Sequence, residues 1–141
     1  MLISLGKCHD RHWTSASCRR RDWAANNLNS HIHWYERLFP LGTNGTIDTA
    51  SVVNNNTFYT NAGKSMTHLI NGAAGNLESH SEFSKGQHLQ NITVVLNKED
   101  YGFSKLTVIN STALTWEYIV GSDGSVRDSL TLLKPTEKKC H

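Results

Sequence analysis

Ala113-Leu114-Thr115-Trp116-Glu117-Tyr118-Ile119-Val120 places Leu114, Trp116, Tyr118 and Val120 on one side of an extended chain, with Thr115 and Glu117 opposite. A period of two is the mark of a strand that buries one face. The rhythm continues on both sides. Upstream, Phe103 to Ile109 sets Leu106 and Val108 on a common face; downstream, Val126 to Leu132 sets Val126, Leu130 and Leu132 together, interrupted by Asp128. The connecting Asn110-Ser111 and Gly121-Ser122-Asp123-Gly124 are tight-turn sequences. The stretch therefore predicts a three-stranded antiparallel meander. Its apolar face is too broad to leave in water and three strands alone are marginal, so a second sheet must cover it.

Moving upstream, residues 81–100 are polar around one apolar run, Ile92 to Leu96, which predicts a short strand or part of a lid. Met66-Thr67-His68-Leu69-Ile70 reads as a strand that ends in the small-residue run Asn71-Gly72-Ala73-Ala74-Gly75-Asn76. The spacing of these glycines matches neither the dinucleotide fingerprint nor the P-loop, which excludes nucleotide cradling. Gly42 to Phe58 is a surface excursion, with Ile47 to Val53 as a short edge strand. In Leu38-Phe39-Pro40-Leu41 the proline prevents an interior strand. Residues 1–29 show no apolar period around Trp13 and Trp23, and His9 and His12, with Asp10 between them, fix no geometry. Three segments are expected: a poorly organised, disordered leader at 1–29, an ordered domain at 30–134, and a charged tail at 135–141 opened by Pro135.

With 141 residues the chain is one domain, and 38% hydrophobic against 18% charged residues leaves a surface rich in Asn, Ser and Thr. A net charge of +2 is too small to imply nucleic acid as a partner, and Arg19-Arg20-Arg21 has no aromatic interleaving and reads as a solvated run. No stretch is long and apolar enough to span a membrane, and Met1 to Leu5 is too short for a signal-peptide core. Cys8, Cys18 and Cys140 are an odd count whose pairing stays open. Four glycosylation sequons, at Asn44, Asn55, Asn91 and Asn110, each fall in or beside an expected turn or loop. This composition fits an extracellular or secretory-pathway protein.

The chemistry is concentrated in Ser30-His31-Ile32-His33-Trp34-Tyr35-Glu36-Arg37. In an extended segment His31 and His33 share a face, which suits them to ligate one metal or a metal pair. Two imidazoles are at most half of the ligands that zinc or iron takes, so other donors are needed. The pair alone is weak; the octet is specific.

The octet resembles the last metal-binding block of the purple acid phosphatase family of metallophosphoesterases, usually Gly-His-x-His-x-Tyr-Glu-Arg, with Ser30 here in place of the glycine. The likeness extends through the Gly-rich run and Asn76-Leu77-Glu78-Ser79-His80, as in the fungal type, to Tyr101-Gly102 and the Trp-bearing strand, ending near Lys134. It implies an α+β, β-rich fold: the C-terminal portion of a two-layer sheet core ending in the meander. It implies a binuclear centre of Fe(III) with Fe(II), Zn or Mn, with His31 on one metal, His33 on the other, and Tyr35, Glu36 and Arg37 supporting the loop. The substrate it implies is a phosphomonoester. His80 carries no implied role and is expected to be a solvent-facing loop histidine.

Ahead of the octet none of the family's other ligand blocks, Asp-x-Gly, Gly-Asp-x-x-Tyr, Gly-Asn-His-Glu/Asp and an upstream histidine, is matched, the surroundings of His9 and His12 being unlike the last, and Asn26-Asn27-Leu28-Asn29 stands where the family has a buried apolar strand. Without the bridging carboxylate two cations would repel each other unrelieved. The expectation is a C-terminal fragment of an acid phosphatase, inactive alone and not assembling the centre by itself, with the missing N-terminal part as its partner. The alternative is a non-catalytic small β-rich binding or structural module.

Overall fold

The alternation in the last third becomes the wall of a two-sheet core. A computed structural model of the chain describes residues 32–61, 64–75, 77, 80–83 and 90–135, together with the backbone of 26–29. Its strands are β1 (Asn26–Asn29), β2 (Tyr35–Leu38), β3 (Leu41–Gly42), β4 (Val52–Asn54), β5 (Thr57–Tyr59), β6 (Ser65–Asn71), β7 (Thr93–Asn97), β8 (Gly102–Asn110), β9 (Ala113–Val120) and β10 (Val126–Leu133). One sheet runs β1-β6-β2-β7, with β3 also on β6; the other runs β4-β5-β10-β9-β8. Among the described residues the only helical element is a 3-10 turn at Thr49–Ser51, so the α part of the expected α+β fold has no representative there.

The expected meander is β8-β9-β10, antiparallel throughout, but the Leu106 and Val108 row of β8 is exposed and not covered as expected. Leu114 and Trp116 of β9 and Leu130 and Leu132 of β10 are buried in one cluster with their sheet neighbour Phe58 of β5 and with Leu69 of β6 from the other sheet, Tyr118 is buried in a second with Tyr35 and Ala73, and Val120 is buried as well. Each such side chain contributes about 1.5–3 kcal/mol on burial, and a one-residue slip would expose the whole row. Register is thereby fixed.

Two local departures have physical causes. A bulge between Val126 and Asp128 reverses the alternation at the start of β10, so Val126 pairs with Ile119 on the outer face instead of joining Leu130 and Leu132. Asp128 shares the inner face of Leu130 and Leu132. The second departure is β1: the polar Asn26–Asn29 is a strand parallel to β6, in register from Asn26 on Thr67 to Asn29 on Ile70. Tertiary pairing outweighs its poor strand propensity, and the expected leader does not include these four residues. Residues 1–25, with Cys8 and Cys18, lie outside the described residues, as do 136–141 with Cys140.

Tyr101-Gly102 ties the sheets together. The Gly102 N–H donates to the Ala73 carbonyl at 2.8 Å, and the Gly121 N–H to the Tyr101 carbonyl at 2.8 Å. A Cβ on Gly102 would collide with the Ile119 carbonyl and touch the Tyr118 ring. Only glycine permits this approach.

Candidate metal-binding loop

The segment between β1 and β2 carries the histidine pair. Of that pair His33 is described, whereas His31 lies outside the described residues. Residues 32–34 bend, with the Trp34 N–H donating back to the Ile32 carbonyl at 2.9 Å, and the strand starts only at Tyr35. The extended-strand premise for a shared face therefore fails here; the loop itself must aim the ring.

That loop is held from the segment after the Gly-rich run. The His33 N–H donates to Ser81 Oγ at 3.0 Å, and the His33 carbonyl accepts from the Ser81 N–H at 3.2 Å. The same carbonyl lies 3.0 Å from His80 Nδ1. A carbonyl can only accept, so Nδ1 carries the proton. In the neutral ring Nε2 is then a bare nitrogen, buried and without a hydrogen-bond partner among the described residues. One residue on, the Trp34 carbonyl accepts from the Gly72 N–H at 3.0 Å. His80 stacks on Tyr101 with centroids 4.1 Å apart, and Phe83 packs on Trp34 at 5.3 Å. His80 is thus a part-buried partner of the loop, contrary to the solvent-facing expectation.

Tyr35, Glu36 and Arg37 anchor the other end. Arg37 is 1% exposed, and its Nε and Nη2 reach Asp128 Oδ2 and Oδ1 at 2.6 and 2.8 Å. Its Nη1 donates to the Asn55 carbonyl at 2.5 Å. The Tyr35 hydroxyl donates to Asp128 Oδ2 at 2.6 Å, and its ring stacks on Tyr118 at 4.2 Å. Burial, and next the Asp128 charge, hold the Tyr35 phenol far above the ordinary tyrosine range, so it stays a donor. Glu36 accepts from Thr93 Oγ1 at 2.6 Å and Trp34 Nε1 at 3.1 Å, joining β2 to β7. Sequence reasoning missed Asp128. Its signal was an acidic residue breaking an apolar row, opposite an arginine two residues beyond a tyrosine on the facing sheet.

The four sequon asparagines are all exposed. Asn44 Oδ1 and Asn110 Oδ1 each accept from the N–H and hydroxyl of the threonine two residues on, the Asx-turn arrangement of an open loop.

Among the described residues no three His, Cys, Asp or Glu side chains gather closely enough to hold a metal ion. The donor chemistry fits part of a metal centre: an imidazole on a loop pinned through its own backbone, beside a second imidazole with a bare buried nitrogen. No carboxylate bridge joins them among the described residues.

A two-sheet core with such a loop at the start of β2 is consistent with the metallophosphoesterase sheet fold. The family profile described as iron/zinc purple acid phosphatase-like protein C matches residues 65–129. An acid phosphatase from Aspergillus ficuum is 67% identical over 118 residues, covering 81% of this chain and 19% of that protein. An Arabidopsis thaliana protein named as a probable inactive purple acid phosphatase is 34% identical over 104 residues, covering 74% of this chain and 15% of its own. The structure of a purple acid phosphatase from yellow lupin (Lupinus luteus) seeds superposes with a TM-score of 0.63 at 28% identity, over 77% of this chain and 17% of that one. The chain resembles the C-terminal part of a purple acid phosphatase, and it spans less than a fifth of the length of these relatives.

Proposed function

We propose that this chain is the C-terminal ligand-bearing portion of an acid phosphatase that hydrolyses phosphomonoesters at a binuclear centre. The observation that carries the reading is the hydrogen-bonded frame around His33: its N–H and carbonyl are both engaged by Ser81, and Tyr35 and Arg37 beside it are fixed to Asp128. His31 and His33 would each give an imidazole to one metal, and Tyr35, Glu36 and Arg37 hold the strand that follows them. When bound, Fe(III) with Fe(II), Zn or Mn supplies a hydroxide nucleophile and charge neutralisation. The described residues lack the bridging carboxylate and the remaining donors, so the chain alone is proposed to be catalytically incomplete, with a polypeptide bearing the other ligand blocks as its partner.

We further propose a domain reaching from β1 through residue 134, an extracellular or secretory-pathway location, and glycans at Asn44, Asn55, Asn91 and Asn110, all of which the fold leaves exposed. The test is hydrolysis of p-nitrophenyl phosphate at acid pH by the purified chain with added iron, zinc or manganese. No turnover above the metal-only blank is expected; turnover with two bound equivalents of metal overturns the proposal. Mass loss on deglycosylation of chain secreted from a eukaryotic host tests the glycans.

A further inference from the structure

The segment His80–Phe83 runs beside His33 and Trp34 and engages them residue by residue. Ser81 takes the His33 N–H on its hydroxyl and returns its own N–H to the His33 carbonyl. His80 adds a second donor to that carbonyl, and Phe83 covers the Trp34 ring. The segment is itself anchored at both ends. His80 lies on Tyr101, which leads into the close sheet crossing at Gly102; Glu82 pairs with Lys98 at 2.5 Å, and the same ammonium lies 4.8 Å from the Phe83 centroid.

We infer that His80 and Ser81 are positioning residues that latch the backbone of His33, so that the segment after the Gly-rich run aims the imidazole of the loop. The inference deepens the proposed function and rests on it only where His33 is treated as a metal ligand. The reasoning is geometric. His33 sits on a bend outside any strand ladder, so no sheet register fixes its φ and ψ, yet its part-buried polar backbone groups need partners. Both partners come from the His80–Ser81 step, at sequence separations of 47 and 48 residues. A ligand's orientation set by groups outside the ligand set is the usual arrangement around metals, and loss of such a group weakens metal binding about 10–100-fold. The Nδ1 proton of His80 belongs to this latch, which leaves Nε2 as the free nitrogen of the ring.

The test uses the full chain labelled with nitrogen-15. Without metal, His80 is expected in the Nδ1-protonated tautomer. Ser81→Ala should speed exchange of the His33 amide about tenfold, the equivalent of one ordinary hydrogen bond. Zinc is then titrated while the His33 imidazole resonance is followed. Ser81→Ala and His80→Phe, the latter keeping a ring on Tyr101, should each weaken zinc binding at His33 about 10–100-fold. Ser81→Thr should restore it, and a core variant of matched stability, Leu132→Val, should leave it unchanged. Zinc binding at His33 that is equal in wild type, Ser81→Ala and His80→Phe overturns the latch and leaves the metal assignment standing. A wild-type His33 that ignores zinc agrees with a centre left incomplete in this chain, and the latch then stands or falls on the exchange rates: unchanged His33 exchange in Ser81→Ala refutes it.

Discussion

Replacing Asp128 by Asn is the sharpest test of how the two sheets are joined. Asp128 and Arg37 side chains are 3% and 1% exposed, and the carboxylate receives two guanidinium bonds at 2.6 and 2.8 Å and the Tyr35 hydroxyl at 2.6 Å. Asparagine keeps one acceptor but removes the charge, so the guanidinium is left with that oxygen and the Asn55 carbonyl and without a counter-ion from Asp128. Breaking one side of a buried pair costs about 3–5 kcal/mol, against about 5–15 kcal/mol for the whole stability of a typical domain. Asp128→Asn should therefore lower the urea midpoint by about a fifth of its value or more, read by tryptophan fluorescence, with the slope unchanged. The double variant Arg37→Met, Asp128→Leu should recover much of the loss, because it leaves no buried charge. A cost below about 1 kcal/mol for Asp128→Asn would refute the claim that this pair is buried and dry.

Three further outcomes follow from the same geometry. Gly102→Ala should destabilise the chain by about 2 kcal/mol or more, since its methyl meets the fixed Ile119 carbonyl; thermal melts check it. Thr93→Val should cost about 1–3 kcal/mol in unglycosylated protein by removing the 2.6 Å bond to Glu36, whereas Thr93→Ser, which keeps the hydroxyl and the Asn91 sequon, should cost less than about 1 kcal/mol. Asp48 accepts from Ser65 Oγ and Ser51 Oγ, both at 2.7 Å, and these bonds, Ser65 first, draw its carboxyl from 3.8 down to about 2. A depressed carboxylate stabilises the fold fully above about pH 4 and ceases to do so as pH falls through about 2; after solvent screening the effect is on the order of 1 kcal/mol. Asp48→Asn should flatten the urea midpoint between pH 4.5 and 2.5 by that amount.

The meander was legible because its inward row is long and apolar, and burial decides such rows. Val126 and Asp128 escaped the same reasoning: the bulge that turns Val126 outward leaves no mark in residue types, and the apparent flaw at Asp128 is the inner partner of Arg37. The strand at Asn26–Asn29 was equally invisible, being polar and fixed by its parallel partner β6. At the loop, residue types identified His33, Tyr35, Glu36 and Arg37 as one block, but not what holds them. His80, Ser81 and Asp128 come from 47 to 93 residues away, and such pairing is settled by tertiary closure.

The most direct test of the central claim is an exchange of parts: residues 30–134 replace the matching region of the Aspergillus ficuum acid phosphatase, and p-nitrophenyl phosphate hydrolysis is measured at acid pH. The account predicts an active, metal-loaded hybrid that loses activity with His31→Ala or His33→Ala. A hybrid whose activity is indifferent to both histidines would contradict it.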